Sequence, residues 1–254
     1  MLLGPQEPPA VSVARAASDS PFLLTCDHAS NRLPAALGDL GVPAAERDRH
    51  IAWDIGALGV AGGLSAALDA TLVASGYSRL VIDLNRPPHR HDLFPEKSEN
   101  TPVPGNVALS AAEKQRRRAA LFEPYHETIA RLLDARAARG LGTLLVAIHS
   151  FTPVYAGVAR PWEIALLSNR DRRVAECLLR ALHRDHVLNV GDNIPYRLTD
   201  DGDYGVPVHG ERRGLPHVLI ELRQDTVAAV SGQRAWVARL APLLREAWAY
   251  VSSA

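Results

Sequence analysis

The chain is predicted to fold as α/β, with helices on both faces of a mostly parallel sheet. Three observations carry this. Short runs rich in Val, Leu and Ile recur without strict alternation, the pattern of strands buried on both faces. Stretches of helical period lie between them. No internal repeat or low-complexity linker divides the 254 residues. One domain, 21–254, is therefore expected after a partly mobile lead-in, 1–20.

The runs expected as strands are 22–26, 70–74, 79–84, 143–148, 163–168, 186–190 and 217–222. Helical spacing covers 44–68, where Gly56, Gly59, Gly62 and Gly63 weaken the pattern or mark close packing. The clearest helix, 110–139, opens with Ser110 and, three residues on, Glu113, a capping box. Pro124 should kink or split it, because proline removes a helix hydrogen bond and clashes with the preceding turn. Two more helices are expected over 171–184 and 231–251, the last with a kink at Pro242. Residues 86–109 hold five prolines and many charges with no period. A loop that long in a compact domain is usually functional or disordered.

Apolar residues make up 47 % of the chain, enough for a sizeable core, and 28 basic side chains balance 28 acidic ones. That neutrality argues against nucleic-acid or membrane-surface partners, which need a basic footprint. No run reaches the roughly 20 apolar residues of a membrane span. Residues 1–20 have no basic region followed by a long apolar stretch, so no signal peptide is expected. Cys26 and Cys177 are read as reduced thiols of a cytoplasmic protein. Oligomeric state has no signature in the sequence.

The polar residues collect where apolar runs end. His28 follows FLLTC, Asn85 and Arg86 follow RLVIDL, His149 follows TLLVAI, and Glu221 and Arg223 close HVLIELR. In a parallel sheet these ends share one edge, where ligands bind. His28 and His149 suit a divalent metal, zinc above all, which at a catalytic site takes a third protein ligand. Asn31 and Asp54 compete for that place, and Asp54 carries the better charge. His50, one helical turn before Asp54, would share its face. Glu221 interrupts an apolar strand, so it needs a partner or a task. A buried ion pair with Arg223 or Arg86 would satisfy it structurally. General-base action on a water beside the metal would use it chemically.

Asn85-Arg86 reads as an anion clamp, since arginine matches a carboxylate bidentately. Asp83 is placed to orient Arg79 or Arg86. The glycine-rich stretch 201–214 reads as a lid carrying Tyr204 toward a substrate. His89 and His91 fit loop or substrate contacts, and His126 a packed histidine. Cys26 with His28 lacks the third, orienting group of a nucleophile pair. Ser150 lacks a nucleophile-elbow setting, and there is no P-loop or G-x-G-x-x-G motif for a nucleotide.

The segments CDHASNRLP, HIAWDIG, SRLVIDLNRP, PEKSENTPVPGN, IHSFTP, GDNIPY and HGERRGLPHVLIELRQD, in this order, resemble the N-formylglutamate amidohydrolase family. The resemblance implies an α/β/α sandwich around a mixed, mostly parallel sheet, related to zinc carboxypeptidases and succinylglutamate desuccinylases. It implies metal-dependent hydrolysis of the amide of an N-acyl acidic amino acid such as N-formylglutamate. His28 and His149 match the metal histidines, Glu221 the general base, and Asn85-Arg86 the pair that holds the substrate's α-carboxylate. The carboxypeptidase-like relatives carry glutamate three residues after the first histidine. Here Asn31 stands there, which moves the expected third ligand to Asp54 and leaves Asn31, with Tyr204 and Arg223, among the substrate contacts. The alternatives are a deacylase or peptidase of other acyl specificity, or a non-catalytic anion-binding protein with a degraded metal site.

Overall fold

The computed structural model describes residues 1–184 and 186–253, so residue 254, the end of the expected domain, lies outside them. Its strands are β1 (Val11–Ala14), β2 (Phe22–Cys26), β3 (Thr71–Ser75), β4 (Lys97–Ser98), β5 (Thr101–Pro102) and β6 (Leu144–Phe151). They continue as β7 (Val154–Tyr155), β8 (Val158–Ala159), β9 (Ile164–Leu167), β10 (Val190–Asp192) and β11 (His217–Arg223). The helices are α1 (Ala44–Arg47), α2 (Ala57–Leu68), α3 (Ala111–Arg117), α4 (Glu123–Ala138), α5 (Arg173–Leu182), α6 (Gly205–His209), α7 (Gln224–Val227) and α8 (Val230–Ser252).

Seven strands form one sheet in the order β1-β3-β2-β6-β11-β9-β10. The inner strands β3, β2, β6 and β11 run parallel, β9 turns antiparallel to β11, and β1 is antiparallel to β3. The sheet is thus mixed and mostly parallel. Its inner strands are buried along nearly their whole length, which is why they read as unbroken apolar runs. One face packs on α2, α5 and α8 through Val60, Leu64, Leu178, Trp236, Leu240 and Leu244. The other packs on α4 through Tyr125, Ile129, Leu132 and Leu133, together with Leu80, Val81, Ile82 and Leu84.

Four local expectations change. Residues 79–84 are not a strand but a chain of turns, with Val81 N donating to Ser78 O (3.0 Å) and Leu80 N to Ser78 Oγ (3.1 Å). A buried apolar run looks the same either way, and the serine hydroxyl decides for the turn. The run 186–190 contributes only Val190, because the edge strand pairs through Gly191 and Asp192. The helix over 44–68 breaks between α1 and α2, so His50 and Asp54 do not share a helical face. Within the expected lead-in, Val11–Ala14 forms the edge strand β1 and Leu2 is buried.

Pro124 neither stops nor splits its helix. A π-helical stretch, Arg118–Phe122, precedes it and relieves the i−4 clash, so α3 runs on into α4. Ser110 caps α3, accepting from Glu113 N at 3.1 Å. Pro242 is carried inside α8.

Gly56 opens α2 with φ of 80°, and a β-carbon there would stand 2.2 Å from Val227 O. The turn it allows carries Asp54 into the site described below. Gly56→Ala is expected to lose about 3 kcal/mol of stability by urea denaturation, from the left-handed backbone and the clash together.

Candidate active site

Strands β2, β6 and β11 deliver their C-terminal ends side by side. Leu24 of β2 pairs with Val146 of β6, and His149 of β6 pairs with Glu221 of β11. His28 sits two residues past the end of β2. His28, His149 and Glu221 all line one cavity of about 590 Å³. All three are nearly inaccessible, at 3 %, 3 % and 6 % exposure. The convergence expected from strand polarity is therefore met.

Each imidazole is gripped on one nitrogen by a carboxylate. His28 Nε2 donates to Asp83 Oδ1 at 2.7 Å, and His149 Nδ1 donates to Asp54 Oδ2 at 3.0 Å. Asp54 also accepts from Ser150 N (3.2 Å), and its own N–H is held by His28 O (2.9 Å). Asp83 is braced by Arg79 through Nη2 (2.6 Å) and Nε (3.1 Å).

Within this cluster four buried polar atoms, His28 Nδ1, His149 Nε2, Asp27 Oδ1 and Glu221 Oε2, make no hydrogen bond. His149 Nε2 and Asp27 Oδ1 stand 2.9 Å apart as an ion pair, and His28 Nδ1 lies 3.4 Å from Asp54 Oδ2. Buried donors and acceptors without partners are costly and rare. Asp27, His28 and His149 each present a ligand atom, all within 4.8 Å of one another. Two ligands of a tetrahedral ion with bonds near 2.1 Å stand about 3.4 Å apart. Two imidazoles and a carboxylate, each imidazole braced by a second carboxylate, fit a divalent metal in donor type.

The titration behaviour agrees. Burial and Arg79 work against a charged His28, but Asp83, Asp54 and Asp27 outweigh them and lift it to about 9. Burial likewise opposes charge on His149, and Asp27 and Asp54 raise it well above its ordinary value. Asp27 and Asp54 stay below the usual carboxylate range despite burial, because both imidazoles favour their charge. Glu221 is the exception. Burial, reinforced by Asp54, pushes it to about 8 against the pull of His149 and His28. A cluster this rich in carboxyl groups takes up protons because it lacks positive charge.

The remaining expected contacts divide. Arg86 lines the cavity, with Nε on Asp92 (3.2 Å) and Nη1 on Gly202 O (2.8 Å). Asn85 lines it too, but its amide holds chain rather than facing a ligand. Its Oδ1 accepts from Tyr204 N (3.1 Å) and Gly205 N (3.0 Å), and its Nδ2 donates to Asp203 (3.0 Å). Asn31 turns away to Arg47 O (3.2 Å) and Asp48 (3.1 Å). Tyr204 packs on His126 and Phe122, with ring centroids at 4.5 and 5.0 Å. Arg223 is tied to Asp225 (2.8 Å) and Pro161 O (2.8 Å). None of these three lines the cavity.

His126 is a packed histidine, as expected. Its Nε2 donates to Leu84 O (2.9 Å), and His209 Nε2 lies 3.0 Å from its Nδ1. Burial keeps His126 neutral, down to about 4. The Cys26 thiol is fully buried in the core and pushed up by burial, so it is no nucleophile.

Sequence reasoning missed Asp27. It also missed Lys97, in β4, and Tyr196 and Arg197, on a loop, all lining the cavity. Among the described residues, no helix is long and apolar enough to cross a membrane.

Comparison with known proteins identifies the family. A solved structure, the gene product Atu2144 of Agrobacterium tumefaciens, is 39 % identical, with a TM-score of 0.96 over 99 % of this chain and 100 % of that one. The solved N-formylglutamate amidohydrolase of Ralstonia eutropha JMP134 shares the fold, with a TM-score of 0.66 over 96 % of this chain and 99 % of its own, at 18 % identity. An N-formylglutamate deformylase of Pseudomonas putida is 33 % identical over 124 residues, and the match spans only 45 % of each protein. The pattern of one family, described as N-formylglutamate amidohydrolase, matches residues 20–228, which takes in every member of the cluster. The chain belongs to the N-formylglutamate amidohydrolase family.

Proposed function

We propose that this chain hydrolyses the amide bond of an N-acyl acidic amino acid, with N-formylglutamate the leading substrate, and that it does so with a divalent metal, zinc the best match. The family supports the reaction class, and the name of the Pseudomonas putida relative supports the acyl group. The observation that carries the reading is the buried trio Asp27, His28 and His149, whose ligand atoms lie within 4.8 Å of one another, with Glu221 paired beside His149 and its Oε2 free of hydrogen bonds.

In this reading His28 Nδ1, His149 Nε2 and Asp27 Oδ1 hold the metal. Asp27 takes the place that charge alone had suggested for Asp54. Asp54 has its Oδ2 on His149 and Ser150 N, so it fixes the tautomer and tilt of the ligand instead. Asp83 does the same for His28. When bound, the metal would polarise the scissile carbonyl and lower the pKa of a nearby water.

Glu221 is the general base. It lies beside His149 across the strand pair, and Oε2 is uncommitted. It takes a proton from the attacking water and returns it to the departing amine nitrogen. Without a cation its pKa near 8 keeps it protonated. A neighbouring positive charge favours the carboxylate that the reaction needs. Arg86, with Nη2 left over from its protein contacts, takes the α-carboxylate of the substrate. Asn85 helps indirectly, by pinning 203–205 into the cavity wall. A purely anion-binding protein would have no use for an unpartnered Glu221 beside two braced imidazoles. The two free, buried cysteines suit a reducing compartment, and a cytoplasmic location goes with this proposal.

Glu221→Gln is expected to keep metal binding, by elemental analysis, while kcat for N-formylglutamate falls about 10²- to 10⁴-fold. Near-normal turnover would remove Glu221 from the reaction. Asp83→Asn is expected to weaken zinc binding about 10- to 100-fold by competition with a chromophoric chelator.

Protonation opposes the metal. His28 titrates near 9, so at pH 7 a proton must leave before its lone pair can bind a cation. Zinc addition at pH 7 should therefore release protons, seen with an indicator dye, and affinity should climb from pH 6 to 9. The chelated protein should behave oppositely. Folded-state pKa values of about 9 for His28 and about 8 for Glu221 lie above their unfolded values. Stability then falls as pH rises through that window, so the chelated protein should melt lower at pH 9 than at pH 6.5.

A further inference from the structure

Five cationic side chains line the cavity: Arg79, Arg86, Arg90, Lys97 and Arg197. Three of them already face acids. Arg79 pairs with Asp83 (2.6 Å), Arg86 with Asp92 (3.2 Å), and Arg90 with Asp92 (2.9 Å) and Asp201 (3.3 Å). Lys97 and Arg197 have no hydrogen bond or ion pair from their side chains to any described residue, and both are exposed at the rim. Resting on the hydrolase reading above, we propose that Lys97 and Arg197 form the subsite for the side-chain carboxylate of the substrate, and so set the preference for an acidic amino acid.

Both cations are presented by anchored chain. Lys97 belongs to the two-stranded ribbon of β4 and β5. The turn of that ribbon is tied down at Glu99, which accepts from Arg49 Nη2 (2.5 Å) and from Ala156 N (3.1 Å) of the neighbouring β7–β8 ribbon. Arg197 lies between two fixed neighbours. Tyr196 accepts from Arg160 Nη1 at 2.8 Å, with the guanidinium stacked over its ring at 4.9 Å, and Leu198 is buried at 1 % exposure. Holding the backbone in place lowers the ordering cost that a long cationic side chain brings to ligand binding.

The chemistry asks for such a pair. N-Formylglutamate is a dianion, and the cavity floor already carries Asp54, Asp83 and Glu221. With Arg86 on the α-carboxylate, the second carboxylate needs its own cations, and these two are the unpaired ones. An amide in its place would still accept from these cations, but without the attraction between two opposite full charges.

The test compares N-formylglutamate with its neutral isostere N-formylglutamine in the wild-type protein, Lys97→Ala, Arg197→Ala, the double variant and Arg197→Lys. Each single alanine variant is expected to lower the kcat/KM preference for glutamate over glutamine about tenfold, mostly through KM, with partial recovery in Arg197→Lys. An unchanged preference in the double variant would overturn the subsite and leave the hydrolase reading intact. Calorimetric titration with glutarate, a dicarboxylate without a scissile bond, gives a readout free of turnover. Its affinity should drop at least tenfold in the double variant. If the wild-type protein cleaves none of these amides, the hydrolase reading falls. Glutarate then still decides the subsite, which is refuted if wild-type and double variant bind it equally.

Discussion

The structure turns on one electrostatic constraint. Four carboxyl groups, Asp27, Asp54, Asp83 and Glu221, are buried around two imidazoles and a single guanidinium, Arg79. Burying a charge costs several kcal/mol unless it is paired and hydrogen-bonded. Asp83 is satisfied by Arg79 and His28, and Asp54 by His149 and Ser150 N. Asp27 Oδ1 has only the ion pair with His149 Nε2 at 2.9 Å, and Glu221 Oε2 makes no hydrogen bond. The cluster takes up protons in answer, which lifts His28 and Glu221 together. A divalent cation would answer the same deficit more directly, by attracting every carboxylate at once and using both free ring nitrogens.

The fold makes the cluster possible by strand polarity, and the turn chemistry around it makes it rigid. Parallel β2, β6 and β11 end at one edge, where side chains leave the sheet and backbone groups need new partners. Asp54 N bonds His28 O, Asp83 N bonds Leu93 O, and Asn85 N bonds Asp83 Oδ1. Each carboxylate that braces an imidazole is thus fixed through its own backbone. The Asn85 amide carries the order one step further, into the wall at 203–205. A residue type suited to a ligand's carboxylate serves here to hold the loop that shapes the cavity.

What was legible in the sequence follows from this. His28, His149 and Glu221 stand out because each interrupts or follows an apolar run, and polar groups there need a reason. Asp27 carries no such mark, and alternation along a continuing strand would put Asp27 and His28 on opposite faces. The strand stops at Cys26, and past its end both side chains turn to one site. Asp54 was found by its charge, but the sequence gives no sign that its oxygen is held by His149. Residues 79–84 looked like a strand because burial, not pairing, sets their composition. Asn31, Tyr204 and Arg223 were drawn in by closeness in sequence, and each has protein partners elsewhere. Lys97 and Arg197 gave no signal, since exposed cations are ordinary and only the ion pairs of their neighbours single them out.

An acidic substrate and an acidic catalytic floor are in tension. A carboxylate entering a cavity that holds Asp54, Asp83, Asp203 and Glu221 meets repulsion, and a partly enclosed, low-dielectric space strengthens it. The structure separates the two demands by depth. Deep in the cavity, negative charge is met in part locally, with Arg79 on Asp83 and the imidazoles between carboxylates, which leaves a net negative charge for a divalent cation to offset. Toward the mouth, the pairs Arg86–Asp92 and Arg90–Asp201 hold loops together and cancel in the far field. Selection by charge then falls to whichever cations remain uncompensated, and these lie at the rim, where water screens them until a ligand closes over them. Such a site discriminates on contact more than at a distance, so changing the rim should alter which acyl-amino acids bind well without touching the groups that break the amide.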